Sequence, residues 1–507
     1  MTVSLIVALV AFSVSQDPYS EVVQTVNLDP DWVDPTPREF ADQTSRYEPF
    51  RARHLLGSRE VPDMVILLQE GLASQIGVDL LQQWIDDIEA EEYVAQVVEI
   101  TYGTPEEIKG FLGALHSQGL QGAVLVGNLP AAWTAVWDTE VGAGEHCPTD
   151  YYLMDLDGEW LDLWVGYPRD SLPGQDGFYD TFQGSLDPEI WVGRIRVDNL
   201  SALGDPVAML QAYLQRNHEW RLNGDPEPVR ALCYVDDDWQ WSGDVYKAAM
   251  ELLYENVELF NRSVETCERD YESIRLPDAY VWVSPFVHSN PTSHQWLPAG
   301  GLTYWNEIVP IGPEAHFYNL FACSNCRFTT NNYMGGVYSF ATDEGLAAVG
   351  STTSGAMLFF TCFYAPLGEG ASLGEAYMQW WDHISEYGLT QAELNWHIGM
   401  VLLGDPSLVP VMHLTGVGEE GPEAFVLAVA PNPSAGAATA MFDLAAPANV
   451  SMAVFDISGR LVQFTEPAEY QPGAHSMQIE EPGPGVYLVH LRAGDSEATE
   501  RFVVVGR

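Results

Sequence analysis

Two apolar stretches set the fold of this chain, Tyr280-Val-Trp-Val-Ser-Pro-Phe-Val-His288 and Phe317-Tyr-Asn-Leu-Phe-Ala-Cys323. Each is a short run of the kind that forms a strand buried on both faces of a sheet. Each also ends in a residue capable of acid–base or nucleophilic chemistry. Because functional side chains in open α/β sheets lie at the carboxyl ends of strands, His288 and Cys323 are the first candidates for a site.

Similar runs surround these two stretches. Upstream, strand patterns at 64–68, 93–100 and 122–127 alternate with helix patterns at 76–90 and 105–116, the second opening with Thr104 as N-cap and Pro105 at the first helical position. Downstream, 231–235 and 346–350 read as strands and 246–254 as a helix. Strands that alternate with helices pair in parallel, so we predict an α/β fold with an open, mostly parallel sheet flanked by helices.

Composition shifts divide the chain into six segments. They are a signal peptide at 1–15, an extended leader or short pro-region at 16–61, a first α/β subdomain at 62–228, a second α/β subdomain at 229–415 that carries both candidates, a linker at 416–423, and a β-sandwich at 424–507. The last segment has short alternating strands and Gly/Pro turns without a helix pattern, which is typical of a small β-sandwich.

The N-terminus predicts export. Residues 3–14 form a short apolar run, and Ser13-Val14-Ser15 fits a small-x-small cleavage site. No later segment reaches the ~18 uninterrupted apolar residues of a transmembrane helix, so no membrane span is expected. Six cysteines fit an exported protein with one or two disulfides, although a catalytic thiol has to remain free.

The charge balance excludes one class of partner. The chain has 72 acidic and 21 basic residues and a net charge of −51, so it is repelled from phosphate, and neither nucleic acid nor an anionic membrane surface is expected to bind. Hydrophobic residues make up 47% of the chain, which places it among globular proteins.

Cys323 and His288 each have an ordinary alternative explanation. A thiol beside an imidazole can become a nucleophilic thiolate, and the imidazole can serve as base and then acid. Cys323 can equally be a packed core residue, or one half of a Cys323–Cys326 redox pair. Three other histidines compete with His288 for the role: His294, His316 and His397.

The pair together resembles the gingipain-type peptidases of the caspase-like group, in which a strand ending in His is followed by a strand ending in Ala-Cys. Four further segments match in family order: Gly122-Ala-Val-Leu-Val-Gly127; Asp150-Tyr151-Tyr152 with Asp155-Leu156-Asp157-Gly158; Glu189-Ile190-Trp191-Val192-Gly193-Arg194-Ile195; and Leu403-Gly404-Asp405-Pro406-Ser407-Leu408. The resemblance covers much of 62–410 and implies a caspase-like sheet and a cysteine-type endopeptidase acting on peptide or protein substrates.

The resemblance also implies a role for each matched residue. Cys323 would form a thioester with the substrate acyl group, His288 would protonate the leaving amine, and Glu189 would orient the imidazole. The backbone N–H groups of Ser289 and Cys323 would stabilise the oxyanion. No cofactor is required for this chemistry.

Two features depart from the family pattern. Ser289 stands where family members have Gly, and Cys326 lies three residues after the nucleophile, where a Cys323–Cys326 bridge would silence the enzyme. Both favour an alternative, a catalytically inactive peptidase-fold protein that serves as a surface binding or structural module.

Other polar segments are candidates for supporting roles. Ser351, Thr352 and Thr353 follow a predicted strand and are expected beside the substrate groove, although turn chemistry explains them equally well. Asp155 and Asp157 form part of an Asp-x-Asp-Gly step that predicts a structural calcium site. The run 236–238 is a second carboxylate cluster at a strand end.

The C-terminal segment resembles the sorting domain of proteins exported by the type 9 route, and also flagellar-hook-cap-type Ig-like domains. The matching residues are Pro431-Asn432-Pro433, Val454-Phe455-Asp456-Ile457-Ser458-Gly459-Arg460 and Pro484-Gly485-Val486-Tyr487. The resemblance implies a secreted or surface-attached protein whose partner at this end is the export and sorting machinery.

Overall fold

The computed structural model describes residues 36–504, apart from 46–47, 59–60, 92, 139–142, 165–173, 225–228, 298–299, 387, 412–426, 433, 435, 445, 457–460, 481–482, 484 and 495. The predicted signal peptide and the predicted linker lie outside the described residues. The described chain forms two compact units, an α/β unit and a C-terminal unit.

The strands of the α/β unit are β1 (Arg51–Gly57), β2 (Met64–Gln69), β3 (Ala95–Thr101), β4 (Gly122–Val126), β5 (Ala132–Asp138), β6 (Ala143–Thr149), β7 (Glu159–Leu161), β8 (Thr181–Gln183), β9 (Trp191–Ile195), β10 (Ala231–Val235), β11 (Val257–Phe260), β12 (Trp282–Phe286), β13 (His288–Asn290), β14 (Ser293–Gln295), β15 (Leu302–Tyr304), β16 (Phe317–Leu320), β17 (Ala347–Ser351) and β18 (Met400–Gly404).

Its helices are α1 (Thr36–Thr44), α2 (Leu72–Ile76), α3 (Val78–Ala90), α4 (Pro105–His116), α5 (Tyr151–Met154), α6 (Pro206–Asn223), α7 (Gly243–Met250), α8 (Glu268–Asp270), α9 (Trp305–Ile311), α10 (Met334–Gly336), α11 (Thr361–Gly368), α12 (Leu373–Ser385) and α13 (Gln391–His397).

Eleven of these strands form one sheet in the order β1-β3-β2-β4-β9-β18-β17-β16-β12-β10-β11. The strands from β3 to β18 run parallel to one another, and so do those from β17 to β11; the two halves meet antiparallel at β17 and β18. The predicted mostly parallel α/β sheet is therefore confirmed. The two predicted subdomains share this single sheet, and β18, from the end of the second, pairs with β9 of the first.

The central strands are apolar because both of their faces are covered. Every residue of β4, β10, β12, β16 and β17 is buried, as expected for parallel strands enclosed between layers. The predicted helix at 105–116 is α4, whose Thr104 and Glu107 form a reciprocal capping box. The predicted helix at 76–90 is split by Gly77, whose φ of +102° interrupts it.

The segment 16–61 is predicted as an extended leader or short pro-region; its described part, from residue 36, is not an extended leader, and a pro-region stays a prediction. Residues 36–44 form α1, and β1 pairs antiparallel with β3 at the edge of the sheet. Phe40 of α1 packs against the rings of Trp133 and Phe178, which anchors the helix to the α/β unit. This segment is therefore part of the folded unit.

The C-terminal unit is the predicted β-sandwich. Its strands are β19 (Leu427–Ala430), β20 (Ala438–Leu444), β21 (Ala448–Asp456), β22 (Leu461–Tyr470), β23 (Gly473–Ile479), β24 (Gly485–Ala493) and β25 (Ser496–Val504). They form the sheets β19-β20-β23 and β22-β21-β24-β25. The inward residues of alternating strands, such as Phe442, Val454 and Val489, are buried in a core between the two sheets.

Among the described residues, no helix has the length and apolar character needed to cross a membrane.

Candidate active site

His288 and Cys323 lie at equivalent positions on neighbouring strands. β12 and β16 pair in parallel, and a further bridge joins Phe286, the last residue of β12, to Phe321, which directly follows β16. The Val287 N–H donates to the Phe321 carbonyl at 3.1 Å. His288 and Cys323 each come two residues after this bridge, so both emerge at the same carboxyl edge of the sheet, where functional groups of α/β sheets collect.

His288 has a carboxylate partner, which is Asp238. The ring Nε2–H donates to Asp238 Oδ2 at 2.6 Å, and this bond holds the pKa of Asp238 below its usual range. Asp238 follows β10, the strand next to β12 in the sheet. The ring of Trp239 packs against the imidazole with centroids 4.6 Å apart. These contacts hold the ring in one orientation at the strand edge.

The Cys323 thiol is enclosed. It is 8% exposed, and burial raises its pKa to about 11. The N–H groups of Gly355 and of Cys323 itself oppose that shift, whereas the nearby Glu145 carboxylate adds to it. A Cβ at Gly355 would lie 2.1 Å from the Trp396 carbonyl oxygen, so the close packing of this turn against Trp396 requires glycine.

The turn after Cys323 is held by backbone bonds. Ser324 adopts a left-handed conformation with φ of +58°, which reverses the chain directly after the thiol. The Ser324 N–H donates to the Thr353 carbonyl at 2.8 Å, and the Cys326 N–H to the Ser351 carbonyl at 2.9 Å. The turn after Cys323 is thus tied to the turn that follows β17.

The predicted groove residues lie beside Cys323 but face protein. Ser351, Thr352 and Thr353 are fully buried. The Thr352 hydroxyl donates to the Pro148 carbonyl at 2.6 Å, and the Thr353 hydroxyl to Glu145 at 2.5 Å. In this structure their side chains tie loops together.

Ser289 points into the core. Its hydroxyl bonds His294 Nδ1 at 2.8 Å, and His294 Nε2 bonds the Tyr338 hydroxyl at 3.1 Å. The Tyr338 hydroxyl is also 3.1 Å from that of Tyr271. The Ser289 side chain therefore joins a buried set of hydrogen bonds with His294, Tyr338 and Tyr271.

The competing histidines are held elsewhere. His294 has both ring nitrogens engaged, and burial lowers its pKa to about 3. His316 packs on Trp220, and burial lowers its pKa to about 4. His397 is buried, with Nδ1 on the Glu393 carbonyl. His316 Nε2 also lies 3.5 Å from a carboxylate, that of Glu344, but at the amino end of β16, whereas His288 lies at the carboxyl edge with Cys323.

The expected contact between Glu189 and His288 is wrong. Glu189 lies just before β9, which is four places from β12 in the sheet. Its carboxylate accepts the backbone N–H groups of Leu156 and Asp157. The acid that bonds His288 is Asp238.

The predicted calcium residues do come together. Ligand atoms of Asp155, Asp157 and Glu189 lie within 4.8 Å of one another. Asp155 already accepts the Gly158 N–H and the Trp160 indole N–H. Burial lowers the pKa of Lys109, and these carboxylates oppose that shift; its ammonium donates to the Gly158 carbonyl at 3.3 Å. Calcium at this cluster stays a prediction, with Glu189 as a third carboxylate and Lys109 as a competing cation.

All six cysteines are free thiols. Cys326 is fully buried, and its sulfur lies close to two glycines. A Cβ on either Gly335 or Gly350 would lie 2.7 Å from this sulfur. Cys323 is instead enclosed by the Gly355 backbone. The Cys323–Cys326 bridge considered above is absent.

Sequence reasoning missed two residues of the site. The sequence marks Asp238 only as part of a carboxylate cluster, because its closeness to β12 depends on strand order. Glu145, in the β5–β6 hairpin, accepts from Thr353, from Ser354 and, at 3.5 Å, from Ser324. No local sequence signal marked Glu145.

A family model identifies the C-terminal unit. Residues 428–505 match the secretion system C-terminal sorting domain. A search of curated proteins found no match.

Solved structures give faint likenesses. One is dimeric latent PorU from Porphyromonas gingivalis, at 12% identity and a TM-score of 0.30, covering 89% of this chain and 43% of that one. Another is catalytically inactive OgpA from Akkermansia muciniphila in complex with an O-glycopeptide, at 8% identity and a TM-score of 0.16, covering 88% of this chain and 94% of that one. The chain spans less than half the length of PorU. Its fold is assigned from the observed sheet and not from these similarities.

The sandwich at the end of the chain matches the sorting family over nearly its whole length. It is a type 9 secretion sorting domain, and it directs this protein to the cell surface or out of the cell.

Proposed function

We propose that the α/β unit is a cysteine endopeptidase in which Cys323 is the nucleophile, His288 the acid–base and Asp238 the residue that orients His288. The observation that carries the proposal is the alignment of His288 and Cys323 on neighbouring parallel strands, with His288 bonded to Asp238 at 2.6 Å. The sequence resemblance to gingipain-type peptidases supports the same pair.

The chemistry follows from these groups. His288 removes the thiol proton, and the sulfur of Cys323 bonds to the substrate carbonyl carbon, giving a tetrahedral oxyanion. The C–N bond then breaks, the amine takes the proton from His288, and a thioester remains. Water activated by His288 hydrolyses the thioester and restores the thiol. Asp238 stabilises the imidazolium that forms in each half-reaction.

The N–H groups around Cys323 favour anion binding. Those of Gly355 and Cys323 both face the sulfur. Donors aimed at this point would also lie near an oxyanion formed on the attacked carbonyl. Ser289 supplies an N–H beside His288, and its hydroxyl is bound to His294.

One observation favours a second candidate function. Cys323 is 8% exposed and its pKa is raised to about 11, so its thiol is protonated and shielded near neutral pH. A buried, protonated thiol of this kind agrees with an inactive peptidase-fold module that is displayed at the cell surface. A peptidase in a closed state would open the turn to admit substrate.

A peptide-cleavage assay tests the proposal. The full chain is incubated with a mixture of unstructured peptides, and products are read by mass spectrometry. Wild type and Cys326→Ala are expected to cleave, and Cys323→Ala is expected to be inactive. Cleavage that survives in Cys323→Ala assigns the reaction to another group. Absence of cleavage in wild type, with the fold intact, favours the surface module.

A further inference from the structure

Arg327 joins two carboxylates from distant parts of the chain beside Cys323. It lies four residues after the thiol and is 1% exposed. Its Nε is 3.2 Å from Glu39 Oε2, and its Nη1 is 3.8 Å from Glu145 Oε1. Its Nη2 also donates to the His146 carbonyl at 2.8 Å. A buried guanidinium with partners on both sides fixes their positions relative to one another.

Glu39 brings helix α1 into this network. Besides Arg327, its carboxylate accepts the hydroxyls of Thr329 and Thr330, each at 2.8 Å. The same helix is fixed by Gln43, which accepts the Trp133 indole N–H at 2.8 Å. Helix α1 is therefore hydrogen-bonded to residues 327–330, the segment that follows Cys323 in the chain.

Glu145 closes the network on the other side. It accepts the Ser354 N–H at 3.0 Å and the Ser354 hydroxyl at 2.8 Å, next to Gly355, whose N–H faces the thiol. The Thr353 hydroxyl donates to the same oxygen. One continuous set of charged bonds thus spans α1, the turn after Cys323, the β5–β6 hairpin and the turn after β17.

We infer that Glu39 and Glu145 are positioning residues for Cys323, acting from opposite sides through Arg327, and that helix α1 is a working part of the site. Proteolytic removal of a leader would then have to stop before Glu39. The inference rests on the proposed role of Cys323, but its test needs no peptidase activity.

Alkylation of Cys323 by iodoacetamide measures the inference directly. Because Cys323 is enclosed, the reagent reacts after local opening of the turn, and the rate reports how firmly the turn is held. Peptide mapping separates Cys323 from the other thiols, and the half-buried Cys267 is an internal reference. The rate is measured in the full-length chain between about pH 7 and pH 10, the range in which thiol reactivity changes.

Three variants are compared with wild type. Glu39→Ala is expected to accelerate alkylation of Cys323 at least about tenfold, as for the loss of a charge-assisted bond, with the Cys267 rate unchanged. Glu39→Gln, which removes the charge but retains an acceptor, is expected to give a smaller acceleration. Glu145→Gln is expected to move the Cys323 profile to lower pH, because the carboxylate that opposes the thiolate is gone.

The matched control is Glu258→Gln. Glu258 also bridges two arginines, Arg230 and Arg275, but lies within the edge strand β11. It is expected to leave the Cys323 profile unchanged.

Three results would overturn the inference. The first is a Cys323 alkylation profile in both Glu39→Gln and Glu145→Gln that equals that of wild type. The others are an altered Cys323 profile in Glu258→Gln, or an alkylation rate of Cys267 that rises together with that of Cys323 in Glu39→Gln. Should Glu39→Ala fail to fold, Glu39→Gln decides. The expected Cys323 profiles in a chain that cleaves no peptide would contradict the proposed function while leaving this network in place.

Discussion

At the scale of single residues, the His288–Asp238 bond decides how the site can work. Nε2 of His288 is hydrogen-bonded to Asp238. In the proposed mechanism, Nδ1 is therefore the ring nitrogen that exchanges a proton with the thiol or the leaving amine. Asp238 is half-exposed at the end of β10, and its charge is maintained by the bond to the imidazole.

Replacement of Asp238 by Asn is expected to lower kcat/KM by roughly tenfold to a thousandfold, because the imidazolium loses its counter-charge. The measurement is steady-state cleavage of a peptide that wild type cleaves. Asp244→Asn, on nearby α7, is the control and is expected to retain wild-type rates. Equal activity in Asp238→Asn and wild type would remove Asp238 from the mechanism.

Three of the motif residues that carry the sequence resemblance, Asp150, Arg194 and Asp405, have structural roles. Arg194 makes a two-pronged bond to Asp150, at 2.7 and 2.6 Å, with both side chains buried. Asp405 accepts from Trp84, Asn217 and Arg221. These buried hydrogen bonds fix Asp150 after β6 and Asp405 after β18.

Arg194→Met is expected to cost about 3–5 kcal/mol in unfolding free energy, because it leaves Asp150 buried without its counter-ion. Arg262→Met is the control, since the Arg262–Glu265 pair is exposed, and about 0.5 kcal/mol or less is expected. Urea denaturation followed by tryptophan fluorescence gives both values. Equal losses in the two variants would show that the buried pair adds nothing.

At the scale of elements, the sequence identified individual strands but left their order open. The runs that end at His288 and Cys323 are short, apolar and close to the observed β12 and β16, because enclosure on both faces demands such composition. Their adjacency, and that of β10, is set by crossovers that no local pattern encodes. For this reason His288 and Cys323 could be predicted, whereas Asp238 could not.

Helix α1 escaped prediction for a related reason. Its stretch, Thr36–Thr44, is polar, and its anchoring acceptor Glu39 pairs with Arg327, which is 288 positions away in the chain. Local periodicity cannot report a bond at that separation. The same applies to Glu145, whose partners Thr353 and Ser354 lie more than 200 positions downstream.

Two glycines test the packing of elements. A Cβ on Gly122 would lie 2.0 Å from the ring of Trp191 across the β4–β9 pair, so Gly122→Ala is expected to destabilise the chain by about 1–3 kcal/mol. Gly113 lies within α4 with nothing within 4 Å of an added Cβ. Gly113→Ala is expected to stabilise by about 0.4–1 kcal/mol. Thermal unfolding gives both signs, and destabilisation by Gly113→Ala would contradict the packing described.

At the scale of the whole molecule, buried ionisable groups couple stability to pH. Burial raises the pKa of Glu91, Asp236 and Glu272 to about 7. Between about pH 4 and pH 7 the folded chain binds these protons more tightly than the unfolded chain, so the unfolding free energy falls as pH rises. Burial lowers the pKa of His294 and His316, so these groups act in the opposite sense, but only below about pH 6.5.

The net expectation is a loss of roughly 1–2 kcal/mol in unfolding free energy between about pH 6.5 and pH 8, where the histidines no longer oppose the carboxyls. Denaturant midpoints at the two pH values give the difference. Glu272→Gln removes one of the three groups and is expected to reduce the loss. Stability that rises over this interval would contradict the assignment of buried, protonated carboxyls.

The molecule combines an α/β unit that carries the candidate dyad with a sorting domain that sends it out of the cell. The account therefore depends on whether Cys323, positioned beside the His288 strand, reacts as a peptidase nucleophile. The most direct measurement is the site of covalent attachment of a peptidyl acyloxymethyl ketone, located by tandem mass spectrometry in the full-length chain. We expect the adduct on Cys323 in wild type and Cys326→Ala, and its loss in His288→Ala. An adduct on Cys326, or one on Cys323 that forms equally fast in His288→Ala, would contradict the account.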